Sequence, residues 1–189
     1  FAMFEVLITV FLLAVGVLGL AAVQMKTYSI TRDADNRSNV SLHAEGLAEA
    51  MRANPRRAID ASNVMSWSWS DYLETSAVTT QAVETATAPT PNCHTSVCTQ
   101  KQLADYDLYE FHQNLHRSFG TDGEVFSQIC PSANLTTLPT PENMGCAATG
   151  PMTIKVAWRS KATKSEAQAV SSTAVSGTIV SGYQLTVAE

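Results

Sequence analysis

The chain has 189 residues, of which 12 are Lys or Arg and 17 are Asp or Glu, for a net charge of −5. That length fits one domain plus an extension rather than two large domains. The acidic balance offers no basic face to track a phosphate backbone, so no nucleic-acid partner is expected. Arg52, Arg56 and Arg57 form a local cluster of cations, read as charges at a helix C-terminus, where they complement the dipole.

Residues 1–23, FAMFEVLITVFLLAVGVLGLAAV, are apolar or small apart from Glu5 and Thr9. A bilayer core about 30 Å thick needs a helix of roughly 20 apolar residues, which this run supplies. A secretory signal peptide fits poorly, because no Lys or Arg precedes Lys26 and the apolar run outlasts the usual core of about 7–15 residues. A plain signal anchor accommodates the composition but leaves Glu5 unexplained, since a carboxylate at membrane depth costs several kcal/mol and marks a function or a partner. A third reading is a processed N-terminus, a leader having been removed just before Phe1, with Glu5 kept for assembly.

Residues 24–53 contain no Pro, so the helix is expected to continue to Asn54-Pro55, where the residue before Pro resists the α region. At 1.5 Å per residue such a helix would be about 80 Å long. Leu42, Gly46, Ala50 and Ala53 are expected to share one stripe, with Leu47 and Met51 beside it, and the small residues would let another layer approach closely. Gly16 and Gly19 each weaken the helix by up to about 1 kcal/mol relative to Ala. They read either as a point of melting during assembly or as positions where helices pack closely.

Residues 55–92 read as an irregular connector rich in Ser, Thr and Ala. Trp67 and Trp69 share one side if this segment is extended. They serve either as anchors for a partner or a sugar or, the preferred reading, as caps on the core. Residues 74–92 hold few large apolar side chains and are expected to form an exposed loop or a short edge hairpin. Four cysteines fall within 93–146, an even count that fits disulfides in an oxidising compartment. Of the possible pairings, Cys93 with Cys98 and Cys130 with Cys146 are preferred because short loops close most readily. Zinc, with His94 nearby, is disfavoured because these spacings contain no C-x-x-C knuckle.

Thr99 and Gln102 form a capping-box pattern. It opens a helix over 100–118, ended by Gly120, with Ala104, Leu108, Phe111 and Leu115 as its apolar stripe. Asp105, Asp107, Glu110, His112 and His116 read as a solvated face. His112 and His116 stand at i, i+4 but lack the H-E-x-x-H sequence of a zinc site. Strands are expected at 123–130, after a Thr-Asp-Gly turn, and at 152–159. In the second, Met152, Ile154, Val156 and Trp158 alternate with Thr153, Lys155, Ala157 and Arg159. A final strand at 178–188 puts Ile179, Tyr183, Leu185 and Val187 on one face. Residues 131–151 form a loop and 161–177 a polar link.

The apolar side of this antiparallel sheet needs a cover, and the far half of the first helix is the natural one. The expected fold class is therefore α+β: a long N-terminal helix with a membrane half and a head-packed half, and a C-terminal antiparallel sheet of three or more strands. The helix would occupy 1–53, with 1–23 crossing the membrane or lying in a filament core, and a globular head would occupy 54–189. The sequence has no G-x-S-x-G and no phosphate loop, so neither a catalytic set nor a cofactor is expected.

The opening F-x-M-x-E-V-L over Phe1, Met3, Glu5, Val6 and Leu7 resembles the start of type IV pilins and pseudopilins. With the Gly16-Val-Leu-Gly19 step, AEGLAEAMRANP at 44–55, IKVAWRSK at 154–161 and the closing GYQLTVAE, the chain resembles the PilV-type minor pilins. The likeness covers both ends well and the middle loosely. Many pilins carry a helix-breaking Pro where this chain has Ala22, a departure that shifts any melting to Gly16–Gly19. The resemblance implies processing by a prepilin peptidase, methylation of the Phe1 amine, residence in inner-membrane lipid with a periplasmic head, and extraction into an extracellular pilus. Other pilins, minor and major, and a tip adhesin are the implied partners. Glu5 would meet the Phe1 amine of a neighbouring subunit. A type II secretion pseudopilin, a major filament subunit and a membrane-anchored periplasmic enzyme or binding domain stay open as alternatives.

Overall fold

The computed structural model describes residues 2–59, 63, 65–119, 124–161 and 178–187. Phe1, Gly120, the Thr-Asp-Gly turn and most of the polar link expected at 161–177 lie outside the described residues. The chain divides into two compact units, one up to Asn36 and one from Arg37 onward.

Helix α1 spans Ala2–Ala53. Its end is built by Asn54 and Pro55. The Asn54 N–H donates to the carbonyls of Ala50 (3.1 Å) and Met51 (3.2 Å), and Pro55 has no N–H with which to continue. The carbonyls of a last helical turn lack partners within the helix. Here the Trp69 indole N–H supplies one, donating to Met51 O at 2.8 Å.

In the second unit the buried side chains of α1 are Val40, Ala44, Leu47, Ala48 and Met51. This corrects the expected stripe. Leu42 is 65% exposed, and a Cβ on Gly46 would meet nothing within 4 Å. Burial energy scales with apolar area, so the helix turns Val40, Leu47 and Met51 inward rather than a line of Gly and Ala.

Residues 55–92 are more ordered than an irregular connector. Strands β1 (Arg56–Ile59) and β2 (Met65–Ser68) pair antiparallel, from Arg56 opposite Ser68 to Ile59 opposite Met65. A 3₁₀ turn follows at Ser70–Tyr72, then β3 (Val78–Thr79) and the short helix α2 (Thr80–Glu84). Helix α3 runs from Gln100 to Phe119. Its capping box is reciprocal: Thr99 N–H donates to Gln102 Oε1 (2.9 Å), and Gln102 N–H donates to Thr99 Oγ1 (3.3 Å).

Strands β4 (Glu124–Pro131), β5 (Met152–Lys161) and β6 (Thr178–Thr186) join β3 in a four-stranded antiparallel sheet of order β3-β4-β5-β6. Its inner face carries Val125, Ile129, Ile154, Val156 and Trp158, packed in one core with the buried face of α1 and with Ala104, Phe111, Leu115 and Phe119 of α3. The alternation along β5 is as the pattern requires, but its polar face is buried as well: Thr153, Lys155 and Ala157 are each at most 1% exposed. Ser132 and Gly145, from the segment between β4 and β5, lie over Lys155, and Pro139 lies over the neighbouring Gly182 of β6. The protein is thus α+β, with a helical layer, a sheet, and an irregular strap across the sheet's other side.

Candidate functional site

Met3–Ala21 is long and apolar enough to cross a membrane, with a mean hydropathy of 2.5, and it is unburied within the chain. An exposed apolar segment of this length is compatible with a membrane anchor. Glu5 lies in the first turn of α1 and is the segment's one ionisable residue. The hydroxyl of Thr9 is satisfied internally, donating to Val6 O at 2.9 Å. A Cβ on Gly16 or on Gly19 would meet nothing within 4 Å, so both glycines present open surface to whatever packs against α1.

The cysteines pair as Cys93–Cys98 and Cys130–Cys146. The first closes a small surface loop in which Val97 is 99% exposed. The second closes the strap over β5. The two tryptophans part company, because β2 ends at Ser68 and the chain turns into the 3₁₀ segment at Trp69. Trp69 packs against the core. Trp67 is 46% exposed, with the Arg57 guanidinium 5.4 Å from its ring centroid.

Two polar clusters inside the second unit escaped sequence reasoning, and both correct the expectation that the acids and histidines of α3 form a solvated face. In the first, His112 lies between Glu74 and Ser127: its Nε2 is 2.8 Å from Glu74 Oε1 and its Nδ1 is 2.9 Å from Ser127 Oγ. The other Glu74 oxygen accepts from Ile129 N–H at 2.9 Å. Serine, imidazole and carboxylate in series suggest a hydrolytic triad, but Ser127 is 3% exposed, so the cluster presents no nucleophile to a substrate. What it does is tie α3, β4 and the segment before β3 together.

In the second cluster the Tyr72 hydroxyl donates to Asp107 Oδ2 (2.7 Å) and accepts from Asn54 Nδ2 (3.2 Å), while Asn54 also donates to Gln100 O (2.8 Å). Burial pushes the Tyr72 phenol well above its ordinary range, and it raises the Asp107 carboxyl too, with the Tyr72 bond partly offsetting the latter. This cluster joins the end of α1 to the start of α3. Neither cluster has a local sequence signature, because its members come from separate elements.

The outer residues of α3 do form surface pairs. Lys101 meets Asp105 at 3.0 Å, His94 meets Glu110 at 2.8 Å, and His116 meets Glu84 at 3.5 Å. Among the described residues no group of three or more His, Cys, Asp or Glu side chains is placed to hold a metal ion. No known family profile, curated protein or solved structure matches the chain.

Proposed function

We propose that this protein is a minor subunit of a type IV pilus. It is held in the inner membrane by Met3–Ala21 and then taken into the filament or its tip priming complex, where it supports assembly and adhesion. The observation that carries the reading is Glu5, a single carboxylate near the start of an unburied apolar helix. In lipid that charge is costly. In a bundle of such helices a neighbouring cation offsets it, and the resemblance assigns that cation to the amine of Phe1. Glu5 would then set the axial register between subunits, while the apolar faces supply adhesion. The role is structural rather than catalytic, with other pilins and the prepilin peptidase as partners.

The test is Glu5→Ala in the full chain, with incorporation measured by mass spectrometry of sheared filaments. Removing one member of a buried ion pair costs about 3–5 kcal/mol. The variant should therefore enter the membrane normally, while its share of the filament falls more than about tenfold. Normal incorporation would overturn the proposal. The same measurement gives copies per filament, separating a minor from a major subunit. Recovery with a secretion apparatus and never with pili would favour the pseudopilin alternative.

A further inference from the structure

Lys155 stands in the middle of β5 on the face opposite the helical core, yet it is 1% exposed. It is covered by the strap between β4 and β5, which Cys130–Cys146 closes. Its Nζ donates to Ser132 Oγ at 2.9 Å and to Gly145 O at 2.5 Å. Both acceptors are neutral, and both flank the disulfide: Ser132 lies just after Cys130 and Gly145 just before Cys146. The covalent bond thus holds the lysine's two partners in place. Loss of hydration alone pushes the amine below its ordinary range.

Of the strap's own apolar side chains, Met144 and Pro139 are buried, Pro139 lying against Gly182 of β6, but Leu135 and Leu138 are 46% and 52% exposed. Its backbone ties, Ala147 N–H to Pro131 O at 2.9 Å and Ser132 N–H to Pro151 O at 3.1 Å, lie at its base beside the disulfide. Farther out it is tethered by Gln184 to Leu135 O and by Arg159 to Glu142. Lifting the strap would return the Lys155 ammonium to water, which offsets part of the packing lost. The sheet beneath does not depend on it, because β5 is paired with β4 from Arg159 to Met152 and with β6 from Thr153 to Lys161.

We propose that Cys130–Cys146 is a redox-controlled latch, and that a dithiol reductant opens the strap and frees the Lys155 amine while the sheet stays folded. The reductant's thiolate attacks the disulfide, both cysteines leave as thiols, and the reductant departs as its cyclic disulfide, having supplied two electrons. The inference is independent of the pilus reading.

The full chain in non-ionic detergent micelles is treated with dithiothreitol, its thiols are capped with iodoacetamide, and it is then exposed to a water-soluble N-hydroxysuccinimide ester. A reacting amine forms an amide, N-hydroxysuccinimide leaves, and the proton passes to buffer. Peptide mass spectrometry compares Lys155 with Lys101, whose side chain is 64% exposed. Lys101 should react equally in oxidised and reduced protein. Lys155 should react at least about tenfold faster after reduction, since its labelling follows the population of the open form. The C93S/C98S variant should behave like the parent, and C130S/C146S should react without reductant. Hydrogen exchange of the β5 amides should stay slow throughout. Rapid acylation of Lys155 with the disulfide intact, continued protection with both thiols capped, or loss of β5 amide protection on reduction would each overturn the proposal.

Discussion

Replacing Tyr72 by Phe removes a single oxygen from a fully buried ring and leaves the packing of the ring in place. That oxygen is the donor to Asp107 and the acceptor for Asn54. Asn54 keeps its bond to Gln100 O, so the main loss falls on the Asp107 carboxylate. A hydrogen bond to a charged group contributes about 1.5–3 kcal/mol and one between neutral groups about 1 kcal/mol. The expected destabilisation is therefore about 2 kcal/mol at neutral pH, falling toward about 1 kcal/mol once Asp107 is protonated. The sign follows from linkage. The Asp107 pKa is raised in the folded protein, so between its unfolded and folded values the native state binds more protons and stability falls as pH rises. Losing the Tyr72 donor raises that pKa further and deepens the fall. Urea unfolding of the full chain in detergent, followed by tryptophan fluorescence at neutral pH and just below the ordinary carboxyl pKa of about 3.9, reads both values. A loss below about 0.5 kcal/mol, or one equal at the two pH values, would refute the reasoning.

Two further outcomes come from the same unfolding measurement. Met51→Ala should cost about 2–5 kcal/mol, because the side chain is completely buried in the core, while Leu42→Ala should change stability by less than about 0.5 kcal/mol; a cost for Leu42→Ala as large as for Met51→Ala would restore the stripe expected from the sequence. Gly150 has φ +133°, and a Cβ there would stand 2.3 Å from Ser132 O, so Gly150→Ala should destabilise by at least about 2 kcal/mol. Gly46→Ala, in open helix surface, should instead stabilise by up to about 1 kcal/mol.

Features that a short window of residues decides were legible in the sequence. The end of α1 at Asn54-Pro55, the Thr99/Gln102 box and the alternation along β5 each rest on backbone sterics, a local hydrogen bond or a period of two, none of which needs the rest of the chain. The length and apolar character of Met3–Ala21, and the solitary Glu5 within it, are of the same kind. Matters that depend on two distant segments meeting were not legible. The phase of α1 against the sheet has no local signal, because Leu42 and Leu47 are equally apolar and only the shape of the opposing layer selects which one is buried. His112 looks solvated from the sequence because its partners lie 38 and 15 residues away in the chain. Lys155 alternates like a solvent-facing residue, and nothing local to β5 announces that a disulfide-closed strap folds back over it. The sequence by itself determined the long elements α1, α3, β4, β5 and β6, because a cap or a local period sets each of them, whereas the short elements between 55 and 92 have no such signal. Only the tertiary structure decided which polar groups are buried, because a buried charge or hydroxyl is tolerable only where the fold brings a partner to it.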